Sequence, residues 1–316
     1  MRVVEVTSFG GPEVLRVRTL PDPVAGAGQV VIDVAVAGVH FVDTWIRRGM
    51  GGQYFPVQPP YVPGGGVAGV VLSVGDGVDG DWVGRRVVVG GDNTSYGHSG
   101  VGYLSQAVAS VGSLFVVPEG VGLPEAMALF HDGATALALV ETAPVGEGAT
   151  ALVQPASGGA GTLLVQLLRE RGVRVVGVAS GEAKLALVKE LGADVVVGYS
   201  GVGSVGAVDV AFDGVGGEAG TAAFGVVREG GWFSNYGNAS GAPADVPRDG
   251  SVRVRGMEQL ATFGGEFRRR VGKVFAAAAA GVIRPVIGAT FSLGEAGEAH
   301  RALESRAVMG KVLLVP

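Results

Sequence analysis

No cysteine occurs in the 316 residues. That excludes disulfides, thiolate catalysis and cysteine-ligated zinc. Charge is also sparse: 17% of residues are charged, with a net charge of −5. The basic face that a nucleic-acid partner selects for is therefore not expected, and the one basic run, RRR at 268–270, reads as a solvated helix face. Long apolar runs are missing despite a mean hydropathy of +0.40. The most apolar stretch, 274–283, is interrupted by Gly281, whereas a membrane-spanning helix needs roughly 20 apolar residues. The N-terminal MRVVEVTSFGG lacks the charged start, apolar middle and cleavage site of a signal peptide. A cytoplasmic protein without a membrane partner is the expectation. Histidine is scarce too. The four present, His40, His98, His131 and His300, show no metal-ligand spacing, so no metal site is expected.

Glycine, with 57 residues, is abundant. The glycines alternate with valine-rich segments, which marks turns rather than disorder. The length suggests about two domains. Up to residue 118 the chain reads as β: β-branched runs at 3–6, 14–18, 29–39, 66–74 and 85–89 are separated by PDP, PGGG and GDGVDGD. Short strands at this spacing suggest an irregular barrel or sandwich. The pattern then changes. A helix is predicted at 124–140, followed by strands at 149–153, 174–179, 195–197, 208–213 and 231–236 that alternate with helices at 159–171, 182–191 and 219–227. That alternation implies βαβ units and a parallel, doubly wound sheet. The tail, with helices at 267–281 and 293–303 and strands at 289–291 and 311–315, is expected to return to the first domain.

The segment ALVQPASGGAGTLLVQLLRERG at 151–172 carries the clearest chemistry. A strand runs into a glycine-rich turn that opens a helix. A phosphate there needs backbone N–H groups, close main-chain approach and the positive end of a helix dipole. Ser157, Gly158, Gly159, Ala160 and Gly161 form that turn, whose position between strand and helix favours a dinucleotide over an ordinary tight turn. The next strand ends in Ala179, Ser180 and Gly181. An NAD site usually carries a carboxylate at that tip for the ribose 2′-hydroxyl. Here Ser180 and, within one turn, Lys184 suit a 2′-phosphate, and NADPH is expected. Glu182 is read as pointing to solvent from the first turn of the helix.

Taken in order, AGVHFVDTWIRRG (37–49), PGGGVAGVV (63–71), GATA (133–136), QPASGGAG (154–161), ELGADVVVGY (190–199), VDVAFDGVGG (208–217), YGNASG (236–241) and LESRAVMGKVLLVP (303–316) resemble the zinc-independent, zeta-crystallin-like quinone oxidoreductases of the medium-chain dehydrogenase/reductase superfamily. The resemblance implies an α/β fold with a GroES-like, β-rich catalytic domain from both chain ends (1–122 and 262–316). It implies an inserted Rossmann doubly wound parallel sheet (123–261). It further implies a homo-oligomer, expected as a homodimer, and a small-molecule substrate. It places Lys184, Tyr199 and Arg306 around the 2′-phosphate, and Thr135 with Tyr236, Asn238 and Ser240 near the nicotinamide.

The chain departs from the family's usual catalytic loop. Asn becomes His40 and Tyr becomes Trp45, while Asp43 is kept; Gly66 stands where the family has a glutamate. His40 is the candidate hydrogen-bond donor or proton source for a substrate carbonyl, its ordinary pKa lying near neutrality; packing against Asp43 is the competing reading. Trp45 could stack on a planar ring, or pack in the core. Asp43 is expected to orient the loop. The expected reaction is zinc-free hydride transfer from NADPH to a quinone or an α,β-unsaturated carbonyl. An enoyl-thioester reductase and a non-catalytic NADPH-binding, crystallin-like or RNA-binding protein are the alternatives.

Overall fold

The computed structural model describes residues 1–52, 56–90 and 101–316; His98 lies outside them. In chain order the elements are β1 (Arg2–Val6), β2 (Leu15–Thr19), β3 (Gln29–Val39), α1 (Phe41–Arg47), β4 (Gly66–Val74), β5 (Arg86–Gly90), β6 (Gln106–Ser110), β7 (Phe115–Val116) and α2 (Leu123–Thr142). Then follow β8 (Thr150–Gln154), α3 (Gly159–Arg169), β9 (Arg174–Val178), α4 (Glu182–Glu190), β10 (Val195–Val197), β11 (Val208–Asp213), α5 (Gly217–Gly225), β12 (Val227–Asn235), β13 (Arg253–Arg255) and α6 (Phe267–Ala279). The chain ends with β14 (Ile287–Ser292), α7 (Ala296–Glu304) and β15 (Lys311–Val315). No helix among the described residues is long and apolar enough to cross a membrane.

These elements form two compact units, Met1–Phe130 with Ile287–Pro316, and His131–Val286. In the first, a seven-stranded sheet runs β14-β15-β3-β4-β5-β7, with β6 also paired to β3. The long β3 holds it together because its mostly buried run, VVIDVAVAGV, pairs with β4, β6 and β15. Its inward side chains join Val67, Val87, Leu104 and Val312 in one core, which Ala296 and Ala299 of α7 also enter. The simple barrel or sandwich read from the strands is thus a mixed sheet with a helix packed on it, fed by both chain ends.

In the second unit every strand pair is parallel, in the order β10-β9-β8-β11-β12-β13. The central β8 is buried on both faces, as its unbroken apolar run requires. Chain order reverses between β8 and β11, the switch point outside whose carboxyl edge ligands bind in such sheets.

The units part at 130/131 and 286/287 where the sequence suggests 122/123 and 261/262, and an ion cluster ties α6 to the end of α2. Glu141, at the end of α2, accepts from Arg269 (2.9 and 2.6 Å), Arg270 (2.9 Å) and Lys273 (3.3 Å) of α6. At Gly133 an added Cβ would lie 2.6 Å from Val274. Helix α6 therefore belongs to the second unit. Of the basic run at 268–270, Arg268 and Arg269 are exposed, as read from the sequence, whereas Arg270 is buried and also donates to the Phe263 carbonyl at 3.0 Å. The hydrogen bond from Arg269, reinforced by Arg270 and Lys273, holds the Glu141 carboxyl down to about 2. Because the folded value lies below the unfolded one, this stabilisation is complete above the ordinary glutamate range and is lost as pH falls toward 2. Glu141→Gln is expected to cost about 2 kcal/mol at neutral pH, discounted for the half-exposed Arg269 and Lys273. It should cost little in acid. Urea unfolding of both proteins across that range checks it.

Candidate active site

The turn after β8 is built for close approach. Ala156 N–H donates to the Val178 carbonyl (2.9 Å), tying the turn to β9, and Gly158 N–H donates to the Pro155 carbonyl (3.2 Å). Gly158 is the extended N-cap of α3, so the first N–H groups of that helix, on Gly159, Ala160 and Gly161, have no partner within it. The three glycines differ in what surrounds them. A Cβ on Gly161 would meet the Pro155 carbonyl oxygen and the Ala156 backbone, and one on Gly159 would meet the Asp132 carboxylate. One on Gly158 would find nothing nearer than Pro155 at 3.5 Å. Ser157 is buried. Gly161 thus serves helix–strand packing, and Gly158 keeps one side of the turn open.

At the tip of β9, Ser180 is exposed and Gly181 turns the chain into α4 with φ +79°. Glu182 is exposed and Lys184 half-buried in the first turn of α4. Val178 and Val197 are parallel partners, and Ala179 N–H donates to the Val197 carbonyl (3.2 Å). Ser180 and Tyr199 are thereby brought to adjacent strand ends, with no carboxylate at the tip.

The tips of β11 and β12 form one hydrogen-bonded unit. Ala239 and Ser240 donate to the carbonyls of Gly214 and Val215 (3.1 and 2.8 Å), and Gly217 donates to Ala242 (2.9 Å). Gly216 and Gly217 have φ of +67° and +54°, which only glycine adopts without cost. Tyr236 lies over Gly214, where a Cβ would be 2.8 Å from its ring, and its hydroxyl donates to the Gln154 carbonyl (3.3 Å). Burial, then the charge of Asp213, pushes the Tyr236 phenol above its ordinary range. Asn238 Nδ2 donates to the Met257 sulfur (3.1 Å), and Ser240 Oγ to the Ala242 carbonyl (3.1 Å). Thr135 is half-buried in α2. The organising residue, missed in the sequence, is the fully buried Asp213. It accepts from Gln154 Nε2 (2.9 Å), Val215 N–H (2.9 Å), Gly216 N–H (3.1 Å) and Asn235 Nδ2 (2.9 Å).

In the first unit the expected catalytic loop is a short helix, α1, with His40 at its N-cap. Asp43 accepts from His40 N–H (2.8 Å), capping the helix, and its Oδ2 lies 3.9 Å from His40 Nδ1. Trp45 is half-buried and packs edge-on against Phe41, 5.9 Å between ring centres. Gly64 makes room here. A Cβ on Gly64 (φ +99°) would lie 2.6 Å from the Tyr103 ring, and one on Gly65 would lie 3.9 Å from the His40 ring. Two buried neighbours had no signal in the sequence. Tyr103 OH donates to Asp43 Oδ2 (2.8 Å), and His300 Nε2 lies 3.0 Å from the Tyr103 oxygen. Arg47, fully buried, donates to Glu304; its Nε and Nη1 have no hydrogen-bond partner among the described residues. Arg306 is the one described non-glycine residue with positive φ (+56°).

Comparison with known proteins accounts for both units. Residues 26–124 match the family described as "Alcohol dehydrogenase GroES-like domain", and residues 191–314 the one described as "Zinc-binding dehydrogenase". A Schizosaccharomyces pombe protein named "Probable quinone oxidoreductase" is 35% identical over 99% of this chain and 96% of its own length. The chain belongs to the zinc-independent quinone oxidoreductases of the medium-chain dehydrogenase/reductase superfamily. A mycobacterial structure solved with NADPH matches with a TM-score of 0.87 and 33% identity, covering all of both chains. The Escherichia coli quinone oxidoreductase solved with NADPH matches with a TM-score of 0.87 and 26% identity, again over all of both chains. Among the described residues no group of three or more His, Cys, Asp or Glu could hold a metal ion.

Proposed function

We propose that the protein is an NADPH-dependent, zinc-free reductase of quinones or α,β-unsaturated carbonyls. The observation that carries the cofactor half is the β9 tip, which offers Ser180, Lys184 and, across the sheet edge, Tyr199 in place of a carboxylate. An open Gly158 beside first-turn N–H groups that have no partner within α3 suits the pyrophosphate, with Ser157, Gly159, Ala160 and Gly161 forming the rest of the cradle. Lys184, Tyr199 and Arg306 suit a 2′-phosphate dianion. Thr135, Tyr236, Asn238 and Ser240 are the candidates for the nicotinamide end. NADPH, when bound, supplies the hydride.

On the substrate side, His40 is proposed as the donor to the carbonyl oxygen, stabilising the charge that develops there. Asp43 holds the helix that carries it, and Trp45 offers a planar face to a ring. Zinc has no tetrahedral set to bind: the chain has no cysteine, and residues 64–66 are all glycine. An acceptor that is already electrophilic is the substrate such a site can reduce. Steady-state NADPH oxidation with quinones and with enones tests the proposal. Turnover with either class supports it; none with either, at high enzyme concentration, overturns it.

Arg306 gives a separate prediction. It follows α7 in a left-handed conformation, with Arg306 N–H on the Leu303 carbonyl (3.0 Å), a position where glycine is the ordinary choice. An arginine held there costs about 1 kcal/mol, which its side chain justifies if it binds phosphate. Arg306→Gly is therefore expected to stabilise the fold by up to about 1 kcal/mol. It should also weaken NADPH binding by about tenfold, the loss of one charge-assisted contact. NADH binding should not change. Thermal melts and calorimetric titration read both effects.

A further inference from the structure

We propose that Tyr103 and His300 are positioning residues for His40, acting through Asp43. The inference rests on the reductase reading above and extends it to two residues that touch neither substrate nor cofactor.

Donor and acceptor roles along the chain are forced. An ionised Asp43 only accepts, so the Tyr103 hydroxyl donates to it at 2.8 Å. The Tyr103 oxygen is then left as acceptor, so His300 Nε2, 3.0 Å away, carries the proton. His300 Nδ1 is buried without a hydrogen-bond partner among the described residues, which fits a neutral ring protonated on Nε2 alone. Burial, with the nearby Arg47 charge, pushes His300 down to about 3 and keeps it in that form. The hydrogen bonds thus run from His300 through Tyr103 to Asp43 Oδ2, the same oxygen that holds His40 N–H at 2.8 Å and faces His40 Nδ1 at 3.9 Å.

Capping α1 requires only Asp43. The extension through Tyr103 and His300 buries two further polar groups, which are expensive to desolvate, and draws them from segments 60 and 197 residues away from their partners. Its effect is to fix the carboxylate beside the His40 ring. Asp43, Tyr103 and His300 are fully buried, whereas the His40 side chain keeps 16% exposure. Of the four, His40 alone keeps side-chain exposure, although its Nε2 is buried. Gly64 is the backbone side of the same arrangement, since a side chain there would crowd the Tyr103 ring.

The test is a cycle of variants read as kcat and KM separately. Tyr103→Phe and His300→Leu are expected to lower kcat by about tenfold, with the KM for NADPH within about twofold of the parent. His300→Gln, which returns an N–H donor to the Tyr103 oxygen, should recover most of that loss. In a His40→Ala background Tyr103→Phe should add nothing, because the group it positions is gone. An unchanged kcat in Tyr103→Phe overturns the proposal, as does an equal loss in the His40→Ala background. Nitrogen NMR of the histidine rings provides a readout that needs no turnover. His300 should be neutral and Nε2-protonated in the parent, and the His40 ring resonances should move in Tyr103→Phe. A His300 protonated on Nδ1, or a His40 signal that does not move, overturns the proposal even where a variant folds too poorly to assay. A parent enzyme inactive toward quinones and enones would defeat the reductase reading, while the NMR result would still decide the positioning chain.

Discussion

Gly158→Ala is expected to weaken NADPH binding by at least about tenfold, the scale of one displaced phosphate contact, while the fold loses no more than about 1 kcal/mol from the poorer N-cap. Gly161→Ala should do the reverse in proportion, costing about 1–3 kcal/mol of stability by overpacking and weakening binding only as the turn is displaced. The contrast follows from the surroundings of the two residues. A methyl on Gly161 is driven into the Pro155 carbonyl and the Ala156 backbone, neither of which can rotate away. A methyl on Gly158 meets protein only at ordinary contact distance, 3.5 Å from Pro155. If Gly158 is a plain turn residue, its methyl should be harmless to binding. If it keeps the main chain open for a pyrophosphate, the methyl stands in the ligand's path. Calorimetric titration with NADPH, beside thermal melts of both variants, separates the two.

Asp213→Ala is the second large effect. Four donors converge on this buried carboxylate: two side-chain amides and two backbone N–H groups. Removing it strips the acceptor from the Val215 and Gly216 N–H groups, while Gln154 Nε2 keeps the Ala219 carbonyl and Asn235 Nδ2 the Gly237 carbonyl; the expected loss is about 2–4 kcal/mol. Asp213→Asn should cost less, about 1–3 kcal/mol, because one oxygen survives. Its new amide, however, would face a donor, either Asn235 Nδ2 or the Gln154 and Val215 N–H groups. Both variants should also weaken NADPH binding, since the 214–217 turn and the 236–241 loop are tied together next to Asp213. Urea unfolding gives the first quantity and titration the second. Equal stability of Asp213→Ala and the parent would mean that the convergence contributes nothing.

Most of the fold was legible because its signals are local. Alternating valine runs and helical patterns located β3, β4, β8, β9, β11 and α3 to within a residue or two, since a buried parallel strand and an amphipathic helix differ in period and length. Helix α1 is not legible as a helix because seven residues between a long strand and a glycine give too little periodicity. The ion cluster at Glu141 was illegible for another reason. A run of three arginines looks solvated unless the partner carboxylate, at 141 against 269 and 270, is known to lie opposite.

The site divides in the same way. A strand, a glycine turn and a helix announce a phosphate cradle within one stretch of chain, and the empty tip of β9 is readable from its own sequence. Asp43 carried a hint, because a carboxylate three residues into a helix is a capping signal. Tyr103 and His300 carried none. Tyr103 sits in VGYLSQ and His300 in the mixed helix AGEAHRALE, and the meaning of each arises only when the fold brings it to Asp43. Gly66 reads as the loss of a family glutamate, and nothing in the sequence shows that Gly64, two residues earlier, makes room for the Tyr103 ring.

The most direct test of the reductase reading is the stoichiometry of NADPH consumption against loss of a quinone or enone acceptor, followed in one reaction with NADH in parallel. The expected result is one NADPH oxidised per two-electron reduction of the acceptor, with NADH a much poorer donor. Tight NADPH binding with no acceptor-dependent oxidation, for quinones and enones alike, would contradict it.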